Sequence, residues 1–174
     1  MSTTTCRSGI PTLSSVARRI LGIDPGFGRM GYAVVEEVGR EQFSVRAYGC
    51  IETQKEQPFP QRLIEIADAT EKLLAEFQPE SMAIEQLFFS KNVTTGINVS
   101  HARGVIVLCA ARAGVKILEF NPLQIKQIIT GYGGAKKDQM QRMVQVLLRL
   151  KEMPKSDDAA DAIAVALCGF LSRI

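Results

Sequence analysis

Ile20-Leu21-Gly22-Ile23-Asp24-Pro25-Gly26 is an apolar run that ends on a carboxylate and a turn. So short a run, closed by Pro and Gly, predicts a buried strand over 19–25. Gly26, Gly28 and Gly31 punctuate a turn, and 31–35 and 43–51 read as two further strands joined through Gly39. Three successive strands with short connections predict an antiparallel meander. Pro58 and Pro60 then open a helix whose Leu63, Ile66, Ala67, Thr70, Leu73, Leu74 and Phe77 recur on one helical face, and Pro79 ends it. Met82-Ala83-Ile84-Glu85 is a fourth strand, 92–113 a long helix stopped by Gly114, and 115–119 a fifth strand. Helices follow over 122–129, over 135–150 with Met140, Met143, Val144 and Leu147 on one face, and from a Ser156 cap to about residue 171. The order βββαβαβααα predicts one α/β domain, a five-stranded mixed sheet with helices on both faces. Residues 1–18 are Ser/Thr-rich, acid-free and aperiodic, and are read as a disordered extension ahead of a domain at 19–174.

A chain of 174 residues is one domain's worth and buries a sizeable core. Its apolar stretches are far shorter than the roughly 20 residues of a membrane span, so no membrane association is expected. Four cysteines (Cys6, Cys50, Cys109, Cys168) are widely spaced with no CxxC pattern, and the last three have apolar neighbours in sequence. Reduced thiols in a cytoplasmic setting are the expectation. The Ser- and Arg-rich start also has the composition of an organelle transit peptide, without its amphipathic pattern. His101 is the only histidine, which excludes a His-rich zinc site and a Ser-His-Asp triad on inventory.

Asp24 ends one apolar run and Glu85 another, while Asp158 and Asp161 lie three apart at the start of an Ala-rich segment. Carboxylates at the ends of buried strands, without Lys or Arg beside them in sequence, suit a hard divalent cation, which prefers oxygen donors. Each also has a plain structural reading. Asp-Pro-Gly is ordinary turn chemistry, and Asp158 suits the dipole of a capped helix N-terminus. Glu85, between Ala83-Ile84 and Gln86-Leu87, is harder to explain without a partner. Ala159, Ala160, Ala162, Ala164 and Ala166 would let the last helix approach the sheet closely and carry its two acids to the strand ends. Sugar kinases and actin-type ATPases also place an Asp and glycines after a first strand, but they need two lobes.

Charge is unevenly distributed. Residues 20–85 carry 6 basic and 12 acidic residues, a net of −6, whereas 86–174 carry 12 basic and 6 acidic, a net of +6. The second half is therefore a basic field around a few carboxylates, as a polyanion-binding site requires. Ordinary solvated helix faces would give the same count. Lys91, Arg103, Lys126, Lys136, Lys137 and Arg142 are its spread elements. Lys136 and Lys137 follow the Gly-rich loop Gly131-Tyr132-Gly133-Gly134 at a helix N-terminus, a place for a phosphate. Phe88 and Phe89 point opposite ways in extended chain, so an exposed ring beside the acids would stack on or wedge between bases.

Gly22-Ile23-Asp24-Pro25-Gly26, Ile84-Glu85-Gln86-Leu87-Phe88, Ala102-Arg103-Gly104, Gln124-Ile125-Lys126-Gln127 and Asp158-Ala159-Ala160-Asp161-Ala162, in that order and spacing, resemble the RuvC family of Holliday junction resolvases. The resemblance covers roughly 19–171. It implies an RNase H-like fold, a homodimer, and an endonuclease using two Mg²⁺ per site, with Mn²⁺ able to substitute. It places Asp24, Glu85, Asp158 and Asp161 on the family's catalytic and metal-binding acids, keeping an acid at 158 where some members carry His. It also implies DNA contacts by Phe88, Lys126 and Lys137, four-way junction DNA as substrate, and a RuvA–RuvB branch-migration partner in recombination and repair. A related RNA-processing nuclease and a non-catalytic junction-binding module are the rivals; the basic loop with Phe88 disfavours the first, and the full set of four acids the second.

Overall fold

The computed structural model describes residues 17–87 and 93–172. Its elements follow the predicted order: β1 (Arg19–Asp24), β2 (Arg29–Gly39), β3 (Gln42–Glu52), α1 (Phe59–Phe77), β4 (Ser81–Glu85), α2 (Val93–Arg112), β5 (Lys116–Phe120), α3 (Pro122–Thr130), α4 (Lys137–Leu148) and α5 (Asp157–Leu171). The strands form one mixed sheet in the order β3-β2-β1-β4-β5. β1, β2 and β3 make the antiparallel meander, and β4 and β5 add in parallel on the other side of β1.

Strand parity divides the core. Leu21, Ile23, Met82 and Ile84 face α1 and α2, with Ile66, Leu73, Leu74, Ile106 and Ala110 against them. Ile20, Ala33, Val35, Ala83, Leu118 and Phe120 face the other way, toward α3, α4 and α5. α5 is buried from Ala159 to Gly169 with the exception of Asp161 and lies directly on the sheet. A Cβ on Gly22 would stand 2.2 Å from the Ala162 carbonyl oxygen, and one on Gly31 would stand 2.1 Å from that of Asp158. The alanines of α5 and these two glycines together give the close approach expected from the composition.

Local differences from the predicted elements have simple causes. β2 runs from residue 29 to 39, beyond the predicted 31–35, because pairing with β3 carries the polar Glu36 and Glu37 along. On α4 the buried residues are Val144 and Leu148, whereas Met143 is 37% exposed. The helix is rotated so that an i, i+4 pair meets the core. Ser156 is the N-cap of α5 but makes no side-chain cap hydrogen bond; its Oγ faces the Arg29 guanidinium at 3.5 Å. Arg18, grouped with the extension by sequence, accepts from the Glu37 N–H at its carbonyl and pairs with Glu37 and Glu80.

Candidate active site

Ile23 of β1 lies opposite Ile84 of β4 in a parallel ladder, so the next residues, Asp24 and Glu85, end adjacent strands at the same edge. Parity turns both toward the α5 face, shared with Ile20 and Ala83. α5 starts over that edge, and Asp158 and Asp161, three apart, project from it together. All four carboxylates are half-buried. Glu85 and Asp161 line a cavity of about 270 Å³ with Lys126 of α3 and Lys137 of α4. Pro122, Ile125, Met140 and Val165 supply its apolar walls.

The electrostatics are those of a site short of positive charge. Burial, with Glu85, Asp161 and Asp158 nearby, raises the Asp24 carboxyl from its ordinary 3.8 to about 7. Burial and then Asp161 push Glu85 up, against the pull of Lys126. Asp161 is raised by burial despite Lys137 beside it. Oxygen-only donors that repel one another fit a hard divalent cation, and Asp24, Glu85, Asp158 and Asp161 are the residues that could hold one.

Sequence neighbours give no hint that these acids have basic partners, yet two do. Arg29 donates to Asp158 at 2.9 Å and Lys137 to Asp161 at 3.3 Å and Asp157 at 3.2 Å. Among the described residues no three acids, histidines or cysteines are gathered into a ready coordination group. Two of the four acids are thus already paired with basic side chains in the structure. Arg29 is not among the site residues expected from sequence. Its signal there is parity: it alternates with Gly31, Ala33 and Val35 on the α5-facing side of β2.

Cys50 is a correction. It is half-buried on β3, paired with Gly31, and its Sγ lies 3.7 Å from Asp158 Oδ2 rather than in an apolar setting. Cys168 does sit in the core, where burial and then Glu85 push its thiol up to about 12.

The expected DNA contacts separate into three groups. Lys126 and Lys137 stand in the cavity wall, and Lys136 is exposed just ahead of α4. Arg103 departs from the group. Its Nε donates to the Glu85 carbonyl at 3.1 Å and its Nη2 pairs with Glu119, so its charge is committed to holding the end of β4. Phe88 and Lys91 lie outside the described residues.

The family model described as "Crossover junction endodeoxyribonuclease RuvC" matches residues 20–169. A relative of that name from Brevibacillus brevis is 51% identical over 149 residues, 86% of this chain and 89% of that protein. One from Petrotoga mobilis is 49% identical over 149 residues, covering 86% and 91%. Among solved structures, Thermus thermophilus RuvC in complex with Holliday junction substrate superposes with a TM-score of 0.84 at 32% identity, over 88% of this chain and 93% of that one. The yeast mitochondrial Holliday junction resolvase Ydc2 has a TM-score of 0.64 at 13% identity, a likeness of fold alone. The sheet order, the α5 packing and these relatives make the architecture RNase H-like. With a match spanning nearly all of the described domain, the chain belongs to the RuvC family of crossover junction endodeoxyribonucleases.

Proposed function

We propose that this chain resolves four-way DNA junctions by paired symmetric nicks, through Mg²⁺-dependent hydrolysis at Asp24, Glu85, Asp158 and Asp161, in recombination and repair. The observation that carries this reading is the clustering of two strand-end acids with two helix acids, close enough to raise the Asp24 carboxyl, beside a cavity that Glu85 and Asp161 line together with Lys126 and Lys137.

The strand ends hold Asp24 and Glu85 rigidly, and α5, seated on Gly22 and Gly31, holds Asp158 and Asp161 against them. Their oxygens suit Mg²⁺, and Mn²⁺ accepts the same donors. Asp24, Glu85, Asp158 and Asp161 would hold the pair of divalent cations, which when bound would supply Lewis-acid activation for phosphodiester hydrolysis to 5′-phosphate and 3′-hydroxyl ends. Lys137 leaves Asp161 for the scissile phosphate, and Lys126 neutralises its other side. Arg103 is a positioning residue that fixes Glu85 through its carbonyl. Lys136, Phe88 and Lys91 are further DNA contacts in the same reading.

A four-way junction has approximate two-fold symmetry, so two sites must act on opposed strands. The surface of α2 offers a dimer seam. Ile97, His101, Gly104, Leu108 and Ala111 are exposed at spacings of four, three, four and three, the repeat by which helices interlock. Ile97 is 49% and Leu108 52% exposed, and a Cβ on Gly104 would meet nothing within 4 Å. Among the described residues no helix is long and apolar enough to cross a membrane. A cytoplasmic setting and a RuvA–RuvB partner belong to the same reading.

The test compares cleavage of a four-way junction, linear duplex and structured RNA with Mg²⁺ and with EDTA. Mg²⁺-dependent, symmetric cutting of the junction alone is expected. Equal or greater cleavage of RNA refutes the reading in favour of an RNA-processing nuclease.

A further inference from the structure

The Gly-rich loop between α3 and α4 has the sequence of a phosphate-holding element, and the catalytic cavity does not use it. The loop is fixed rather than slack. Gln127 Nε2 donates to the Gly131 carbonyl at 2.7 Å, Thr130 Oγ1 accepts from the Tyr132 N–H at 3.2 Å, and the Ala135 N–H donates to the Tyr132 carbonyl at 3.1 Å. Tyr132 is nevertheless 68% exposed. Its ring lies over Gly134, where a Cβ would stand 2.6 Å from the ring carbon Cζ. One side of the ring is thus backed by glycine backbone and much of the rest is open to solvent.

This ring forms one end of a groove of about 330 Å³, lined also by Gln139, Arg142 and Met143 of α4. Lys137 and Met140 of the same helix line the catalytic cavity. The groove and the cavity therefore both border α4, and Met140 of the cavity and Met143 of the groove are neighbours one turn apart on it. Arg142 is exposed, and among the described residues no acid lies within ion-pair distance of it. Lys136 stands at the mouth of the loop. A backed aromatic face beside an uncommitted guanidinium is a stacking platform with a phosphate clamp, the pairing by which proteins hold unpaired nucleotides.

We propose that the Tyr132–Arg142 groove is a nucleotide subsite for the junction strand, in which Tyr132 stacks on a base unpaired at the exchange point and Arg142 holds a neighbouring phosphate. The subsite rests on the junction-cleaving reading above and extends it to residues outside the carboxylate site.

The experiment measures four-way junction binding in Ca²⁺, with 2-aminopurine placed in turn at positions flanking the exchange point. Wild type should bind the junction more tightly than linear duplex and change the fluorescence at one of these positions. Tyr132→Ala should weaken junction binding about tenfold and abolish that change, while Tyr132→Phe retains both. Arg142→Ala should lower the slope of log affinity against log salt by about one. Unaltered affinity, salt slope and fluorescence in Tyr132→Ala and Arg142→Ala would overturn the subsite while leaving junction cleavage standing. Failure of wild type to prefer the junction overturns both readings. Unchanged unfolding temperatures check that the exposed substitutions leave the fold intact.

Discussion

Asp24 sits where β1 ends, half-buried and facing three more carboxylates, so without a cation its charge is destabilising. Its carboxyl is raised from 3.8 to about 7, so the native state retains a proton that the unfolded chain has lost. The stability contributed by this group is full below about pH 4 and is lost as pH rises through about 7. Asp24→Asn is expected to stabilise the cation-free protein by on the order of 2–4 kcal/mol at pH 8. That advantage should grow between about pH 4 and 7 and level off above, as thermal unfolding with EDTA at several pH values will show. The same variant should lose junction cleavage and keep junction binding; retained cutting would refute the assigned role. Arg29 makes a second case. Exposed ion pairs contribute roughly 0.2–1 kcal/mol, so Arg29→Gln should tighten Mn²⁺ binding to the DNA-free protein by up to about fivefold in calorimetry. Weaker Mn²⁺ binding would instead make Arg29 a support for Asp158. The role of Arg29 is hidden in sequence because its partner lies 129 positions away, on another element.

Among the elements, α5 carries the most consequence. It brings half of the acids to the site and does so by lying on glycine in β1 and β2. Gly22→Ala would push a methyl group into the Ala162 carbonyl and the Ala166 N–H, both backbone atoms that cannot rotate aside. The expected loss is roughly 3 kcal/mol, at the upper end for overpacking. In a domain of this size that is a fall of roughly 10 °C in unfolding temperature, measured by calorimetry. An unchanged unfolding temperature would mean that α5 seats less tightly than described. The Ala-rich run and the two glycines are both readable in the chain; that they touch is not, since small residues are also merely good helix formers. The exposed stripe on α2 is similarly hidden, because predicting a helix over 92–113 does not say which face the sheet leaves uncovered.

At the scale of the whole molecule, the cavity joins Glu85 of the acidic first half to Lys126, Lys137 and Asp161 of the basic second half, and the proposed paired nicking calls for two such cavities. For the proposed dimer, Leu108→Glu within the exposed α2 stripe should give a monomer by light scattering at micromolar concentration where wild type gives a dimer. It should also leave single nicks where wild type makes paired ones. A dimer that persists unchanged would move the interface elsewhere on the molecule. Strand count, element order and the two strand-end acids are all legible in the chain, because burial on both faces of the sheet writes continuous apolar runs that stop at the acids.

The sequence by itself determined the elements, since periodicity and turn chemistry are local properties that survive in one dimension, and it marked four acids as candidate oxygen donors. Tertiary structure alone decided which charges neutralise which. Arg29 on Asp158, Lys137 on Asp161, Arg103 drawn away to Glu119, and Tyr132 backed by Gly134 are matters of a few ångströms. The first three join distant elements, and Coulombic and packing energies depend on that separation, which chain order does not encode.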